Sequence, residues 1–261
     1  MKQLSCIIIF FVFPCLTAQA NFFDENHYYQ SIDNGGRSFF SYSFKSPDGK
    51  WIKWDWSYDT ATLDRLDSRE NLEKMFSSYG QGARRSNPSI VASNWMSACR
   101  PIYELLENQV RGSTNAWMAR IDYLRRFVQD IPYVVPVDEK SHSGLLSPTG
   151  VLRNGYGDCD SKAFLFSTIL AWNPEYDIIA VSVRADGGNH LMLGIKAKPT
   201  DSQKYVEFDG KKYLLLELSS GDCRLGHHEW NTIELVHIRK LVINPHSIPH
   251  NRHLYGFNTI Q

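Results

Sequence analysis

Three residue types in this chain, a thiol, an imidazole and a carboxylate, stand where their surroundings suit them to nucleophilic chemistry. Cys159 lies between Asp158 and Asp160 in NGYGDCDSKAFLFSTILAWNP, residues 154–174, after a glycine-rich turn and before an apolar run. Asp158 can cap a helix that begins at Cys159, and Pro174 stops it. Such a helix aims its unpaired amides and the positive end of its dipole at the sulfur, which favours thiolate. The dipole alone does not suffice: it supplies ~0.3–1 kcal/mol, less than the ~1.36 kcal/mol that moves a pKa by one, and a free thiol titrates near ~8.5. An imidazole partner is needed.

His190 follows Gly187-Gly188-Asn189 and opens a strand in which His190 and Met192 alternate with Leu191, Leu193 and Ile195. In a later strand Leu215 and Glu217 alternate with Leu214, Leu216 and Leu218, which sets one carboxylate in an otherwise apolar run. A buried carboxylate needs a partner. If the two strands are neighbours, Glu217 holds one nitrogen of His190 while the other faces Cys159. Taken singly, each residue has a plainer role: a core cysteine, a satisfied histidine, an edge glutamate. Taken together, in the order Cys, His, acid, they point to a triad of Cys159, His190 and Glu217.

The elements that must position them are legible from periodicity. SFFSYSFKSPDGKWIKWDWSY, residues 38–58, alternates aromatic and polar residues around Pro47-Asp48-Gly49 and reads as a β-hairpin whose aromatics pack a core or cover a sheet rather than bind sugar. Asp67 and Glu70 have capping-box spacing for a short helix ended by Gly80 and Gly82. Residues 93–129 are helical in pattern, restarted at Pro101 and divided at Gly112-Ser113, with Trp117, Ile121, Leu124 and Val128 on one face. A polar loop over residues 138–157 then delivers Cys159. Beyond it YDIIAVSVRAD, HLMLGIKAK, KYVEF and KKYLLLELSS have a period of two, the last two joined by an Asp209-Gly210 turn. Helices feeding an antiparallel sheet make the fold class α+β.

Lys2, the apolar run from Leu4 to Leu16 and Ala18-Gln19-Ala20 read as a secretory signal peptide over residues 1–20, cleaved after Ala20. An N-terminal hairpin and helix region is expected over 21–92 and the enzyme-like domain over 93–261, in a secreted or periplasmic protein without membrane attachment after cleavage. Of 28 basic residues the leader removes Lys2, leaving 27 against 28 acidic, so no electrostatic footprint for nucleic acid exists. At 43% hydrophobic and 13% aromatic the chain has ample material for a core. Cys99, Cys159 and Cys223 remain after cleavage; local context suggests a Cys99–Cys223 disulfide, with three free thiols the alternative. His227, His228, His237, His246, His250 and His253 cluster late without zinc-site spacing, so neither metal nor cofactor is expected.

GYGDCDSKAFLFSTIL, GGNHLMLGI and DGKKYLLLELSS together resemble the transglutaminase-like superfamily, relatives of papain-like cysteine proteases, over roughly residues 117–222. The family's Gly-x-Cys-Asp/Glu block is matched by Gly157-Asp158-Cys159-Asp160. The resemblance implies a central buried helix packed on an antiparallel sheet, with Cys159 as nucleophile, His190 as general base and acid, and Glu217 as orienting acid where the family more often has Asp. The implied partner is a peptide or protein amide. Water as acceptor makes a hydrolase, an amine makes a crosslinking transferase, and loss of catalysis leaves a binding or scaffold module. The Cys159 amide is the natural oxyanion donor; Asn154 and Trp95 are candidates for a second, each with a structural role as the alternative.

Overall fold

Pro47-Asp48-Gly49 closes a tight turn in which the Ser46 and Lys50 backbones pair at 2.8 Å and Gly49, at φ +79°, takes the left-handed conformation that glycine tolerates. A computed structural model describes this turn within residues 28–79, 83–136, 144–186, 188–219, 221–230 and 232–241. The leader over residues 1–20, Gly80, Gly82, His246, His250 and His253 lie outside the described residues. Strands β1 (Tyr28–Asn34), β2 (Arg37–Lys45) and β3 (Trp51–Asp59) form an antiparallel sheet in that order. Alternation sends Phe40, Tyr42 and Phe44 of β2 and Trp54, Trp56 and Tyr58 of β3 inward, all buried. The aromatic row is therefore core.

Helix α1 (Thr60–Leu66) ends at Asp67, and α2 (Arg69–Glu73) is capped by Ser68, whose side chain accepts from Asn71 N. The capping-box expectation for Asp67 and Glu70 thus fails: Asp67 instead accepts from Ser147 Oγ and Thr149 Oγ1, at 2.5 and 2.7 Å. The expected helix also ends early, because residues 76–79 pair as β4 (Phe76–Tyr79) with β5 (Ala83–Ser86). Helices α3 (Pro88–Trp95), α4 (Arg100–Val110) and α5 (Ala116–Asp130) follow. Proline stands in the first turn of both α3 and α4, where its missing N–H costs nothing. The expected loop over 138–157 contains α6 (Pro148–Asn154), started by Ser147 with Pro148 and stopped by Gly155 at φ +70°. Helix α7 (Cys159–Leu170) has Asp158 as its N-cap.

Strands β6 (Ile178–Ala185), β7 (Gly188–Lys196), β8 (Tyr205–Phe208), β9 (Lys211–Leu216) and β10 (Ile233–Lys240) make an antiparallel sheet of order β10-β6-β7-β9-β8. Asp209 and Gly210, both at positive φ, form the predicted turn between β8 and β9. The architecture is α+β, as expected. Leu193, Ile195, Leu214 and Leu216 of one sheet face share a core with Leu165, Phe166 and Ile169 of α7; Met192, Tyr213 and Leu215 of the other face build a second cluster. The hairpin joins the first core through Phe127 of α5, whose ring centroid lies 4.9 Å from Trp54 and 5.4 Å from Tyr42. Residues 92 and 93, where the two regions were expected to meet, both lie inside α3.

The suggested Cys99–Cys223 disulfide is absent: Cys99, Cys159 and Cys223 are buried free thiols. Cys99 heads α4 in the main core, whereas the carbonyl of Cys223 is bound by Arg125 and Gln129. Among the described residues no helix is long and apolar enough to cross a membrane.

Candidate active site

Cys159 is placed by three local devices. Asp158 Oδ1 accepts from Ser161 N at 3.0 Å and fixes the first turn of α7. Gly157 N donates to Pro132 O at 3.2 Å, and its carbonyl accepts from Val134 N at 3.3 Å, a short parallel bridge that sets Tyr133 beside the helix start. Glycine keeps this approach close, since a Cβ at residue 157 would stand 3.1 Å from Ser161 Cβ and 3.3 Å from Val151 Cγ2, so that one of these neighbours would have to give by a few tenths of an ångström. Third, Leu146 N donates to Ser161 Oγ at 3.0 Å, tying the α6 approach to α7.

The sulfur meets the Asp160 carboxylate, with Sγ donating to Oδ1 at 3.4 Å, as well as the Tyr133 phenol and the backbone amide of Leu191. Burial pushes the Cys159 thiol up, the charges of Asp160 and Asp158 add to that, and the Leu191 amide opposes it. In this arrangement Cys159 is a thiol, in contrast to the thiolate that a helix N-terminus favours by itself. Tyr133 is pushed up to about 12, first by burial and then by the thiol and the Asp158 charge, and so remains a neutral donor. Asp160 is raised as well, by burial first and Asp158 next, with Cys159 and His190 pulling it down.

His190 and Glu217 are brought together. Nε2 lies 2.7 Å from Glu217 Oε2, with the side chains 12% and 1% exposed. Leu193 pairs with Leu216, so β7 and β9 are neighbouring strands, and Glu217 is the first residue past β9. Ser219 N and Oγ both donate to the other carboxylate oxygen. Burial pushes the Glu217 carboxyl up, but the bond and charge of His190 and the Ser219 donors outweigh it and hold the group below its ordinary range. Trp230 closes the imidazole edge to face, with ring centroids 4.6 Å apart. With Nε2 committed to the carboxylate, Nδ1 is the nitrogen left for a proton. Cys159 is not among the hydrogen-bond partners of the imidazole; it borders the amide of Leu191, the next residue along the strand.

The helix-first cysteine, the strand-borne histidine and the acid beyond the next strand follow the motif order read from the sequence. No family model matches the chain, and no curated protein matches it. Among solved structures it is similar to Legionella pneumophila LapG, EGTA-treated, at 15% identity over 59% of this chain and 84% of that one, with a TM-score of 0.34. It is also similar to a candidate cysteine protease from Cytophaga hutchinsonii, at 10% identity over 85% of this chain and 82% of that one, with a TM-score of 0.33.

Of the two oxyanion candidates, Asn154 Nδ2 donates to Gly150 O at 2.8 Å within α6, and Trp95 is buried in a cluster with Leu145 and Phe164. Among the described residues no group of three or more His, Cys, Asp or Glu is placed to hold a metal ion, and His228 stacks on Trp230. Ser219, Tyr133 and Trp230 are the neighbours of the site that sequence reasoning missed. Ser219 stands two residues after the acid in LELSS, but nothing in that spacing marks it as a donor to Glu217.

Proposed function

We propose that the chain is a thiol hydrolase that cleaves a peptide or other amide through a thioester, with Cys159 as nucleophile, His190 as base and acid, and Glu217 as the orienting carboxylate. The observation that supports this most is the buried 2.7 Å contact between His190 Nε2 and Glu217 Oε2, on a strand whose next amide touches the sulfur at a helix start. A carboxylate on Nε2 keeps the tautomer whose Nδ1 has a free lone pair. Rotation of the Cys159 side chain from Asp160 toward Nδ1 passes the thiol proton to the imidazole. The thiolate then attacks the carbonyl carbon, and the oxyanion faces the Cys159 N–H at the α7 start. Nδ1–H protonates the departing amine as the C–N bond breaks, leaving a thioester. Water, deprotonated by Nδ1, attacks the thioester, and the carboxylic acid leaves as the thiol is restored.

Iodoacetamide tests the pair without knowledge of the substrate. Cys159 in the purified mature protein is expected to alkylate fast near neutral pH, and His190→Ala to abolish that advantage. A rate following an ordinary thiol with pKa near ~8.5 rejects the nucleophile assignment. An electrophilic amide library, run with and without labelled amine, then separates hydrolysis from amine transfer. Cys159→Ser with wild-type behaviour would leave only the scaffold reading, because losing a triad nucleophile costs on the order of 10⁴–10⁶ in rate.

A further inference from the structure

Behind the imidazole–carboxylate pair lies a buried polar cluster that the chemistry above does not use. Its hub is Gln129 on the last turn of α5, 7% exposed. Gln129 Nε2 donates to the backbone carbonyls of Glu217 and Cys223, at 2.7 and 2.8 Å. Its Oε1 accepts from Arg125 Nη1 at 2.8 Å, and the same nitrogen reaches Cys223 O at 3.2 Å. Its backbone carbonyl accepts from Lys162 Nζ at 3.2 Å. Lys162 is fully buried and stands three residues after Cys159 on α7. The carboxylates whose charges act on it are Glu217 and Asp130.

Two physical features make this more than packing. The β7–β9 ladder ends at Leu193–Leu216, so the backbone at Glu217 has passed its last strand partner, and Gln129 supplies the donor that a neighbouring strand would have given. A fully buried ammonium with one hydrogen bond is also costly, and an apolar side chain of the same length would fill the space at less cost. What the ammonium adds is a link from the nucleophile's helix to the residue that holds the acid's segment. We infer that Gln129, clamped between Arg125 and Lys162, is a positioning residue that fixes Glu217 relative to the Cys159 helix and thereby sets the direction of His190. This rests on the proposed function only in so far as that direction matters for catalysis.

The test uses the full mature chain as wild type, Gln129→Met and Lys162→Met, with two readouts. Ring ¹⁵N shifts of His190 report which nitrogen carries the proton, whether or not the protein is an enzyme. The pH–rate profile of Cys159 alkylation by iodoacetamide reports the thiol–imidazole pair. In wild type the proton resides on Nε2; in both variants the tautomers mix, and alkylation near neutral pH falls by about 10- to 100-fold, the size expected of roughly 1 Å misplacement. Folded variants that keep both the wild-type tautomer and the wild-type profile overturn the inference, as does a loss of stability alone. Should Gln129→Met fail to fold, Lys162→Met decides, since it removes a buried charge rather than a packed side chain. A wild type that alkylates as an ordinary thiol while the variants still mix tautomers rejects the proposed function and leaves the positioning role standing.

Discussion

At the scale of single residues, the unexpected neighbour is Asp160. The sequence placed it beside Cys159 only as part of the Gly-Asp-Cys-Asp block, yet its carboxylate accepts from Sγ, and its charge, after burial, is the largest influence raising the thiol. A resting thiol protected in this way is released when the carboxylate is neutralised. Asp160→Asn is therefore expected to lower the thiol pKa and speed iodoacetamide alkylation near pH 7 by roughly three- to tenfold, a tenfold gain corresponding to one pKa unit. An unchanged or slower rate in a folded variant would show that burial alone sets the sulfur's state. The helix start at Cys159 and the contact between His190 and Glu217 were legible because each residue breaks a local pattern: a thiol after an N-cap aspartate, and polar groups in period-two apolar runs. Ser219 and Tyr133 were not legible as neighbours, because their contacts depend on a turn after β9 and on a bridge between residues 133 and 157 that no periodicity announces.

Among the elements, α7 carries the strongest internal conflict. Every residue from Ser161 to Leu170 is buried, and one of them is a lysine. Burial outweighs the pull of Glu217 and Asp130, so Lys162 titrates at about 8 instead of 10.5. Below pH 8 the folded state carries a buried charge that the unfolded chain exposes without cost. As pH rises from 8 toward 10.5 the folded lysine is neutral while the unfolded one still binds its proton, so folding regains stability. Lys162→Met is thus expected to stabilise the protein by about 1–4 kcal/mol near neutral pH, and the advantage should shrink above pH 8 and vanish near 10.5 in denaturant titrations. A variant less stable than wild type at pH 7 would mean that the ammonium's contacts exceed its desolvation. The helix itself was readable from Asp158, the apolar run and Pro174. Helix α6 was hidden by its polar, glycine-containing composition, although Ser147-Pro148 spelled an N-cap followed by a first-turn proline. The Asp67 capping box was misread because Ser68, one residue on, took the cap and freed the Asp67 carboxylate to bind α6.

For the whole molecule, the question is whether the aromatic hairpin is an attachment or part of the unit that carries the site. Phe127 answers it physically: β2 and β3 surround its ring with Tyr42, Phe44, Trp54 and Trp56, and it stands two residues before Gln129 on α5. The hairpin thus packs on the helix that holds the Glu217 segment, and Tyr58 OH adds a 2.6 Å bond to Ala98 O just ahead of α4. Emptying the space of one such ring costs about 3–5 kcal/mol. For a chain of 261 residues, each kcal/mol moves the midpoint by about 2–4 °C, so Phe127→Ala should lower Tm by about 6–20 °C. If hairpin and α+β body share one core, tryptophan fluorescence and far-UV circular dichroism will shift together, and Cys159 alkylation will lose its neutral-pH advantage over the same temperature range. Two separated transitions, with the alkylation profile following only the later one, would instead make the hairpin an independent module and confine the site's support to the helices and the larger sheet.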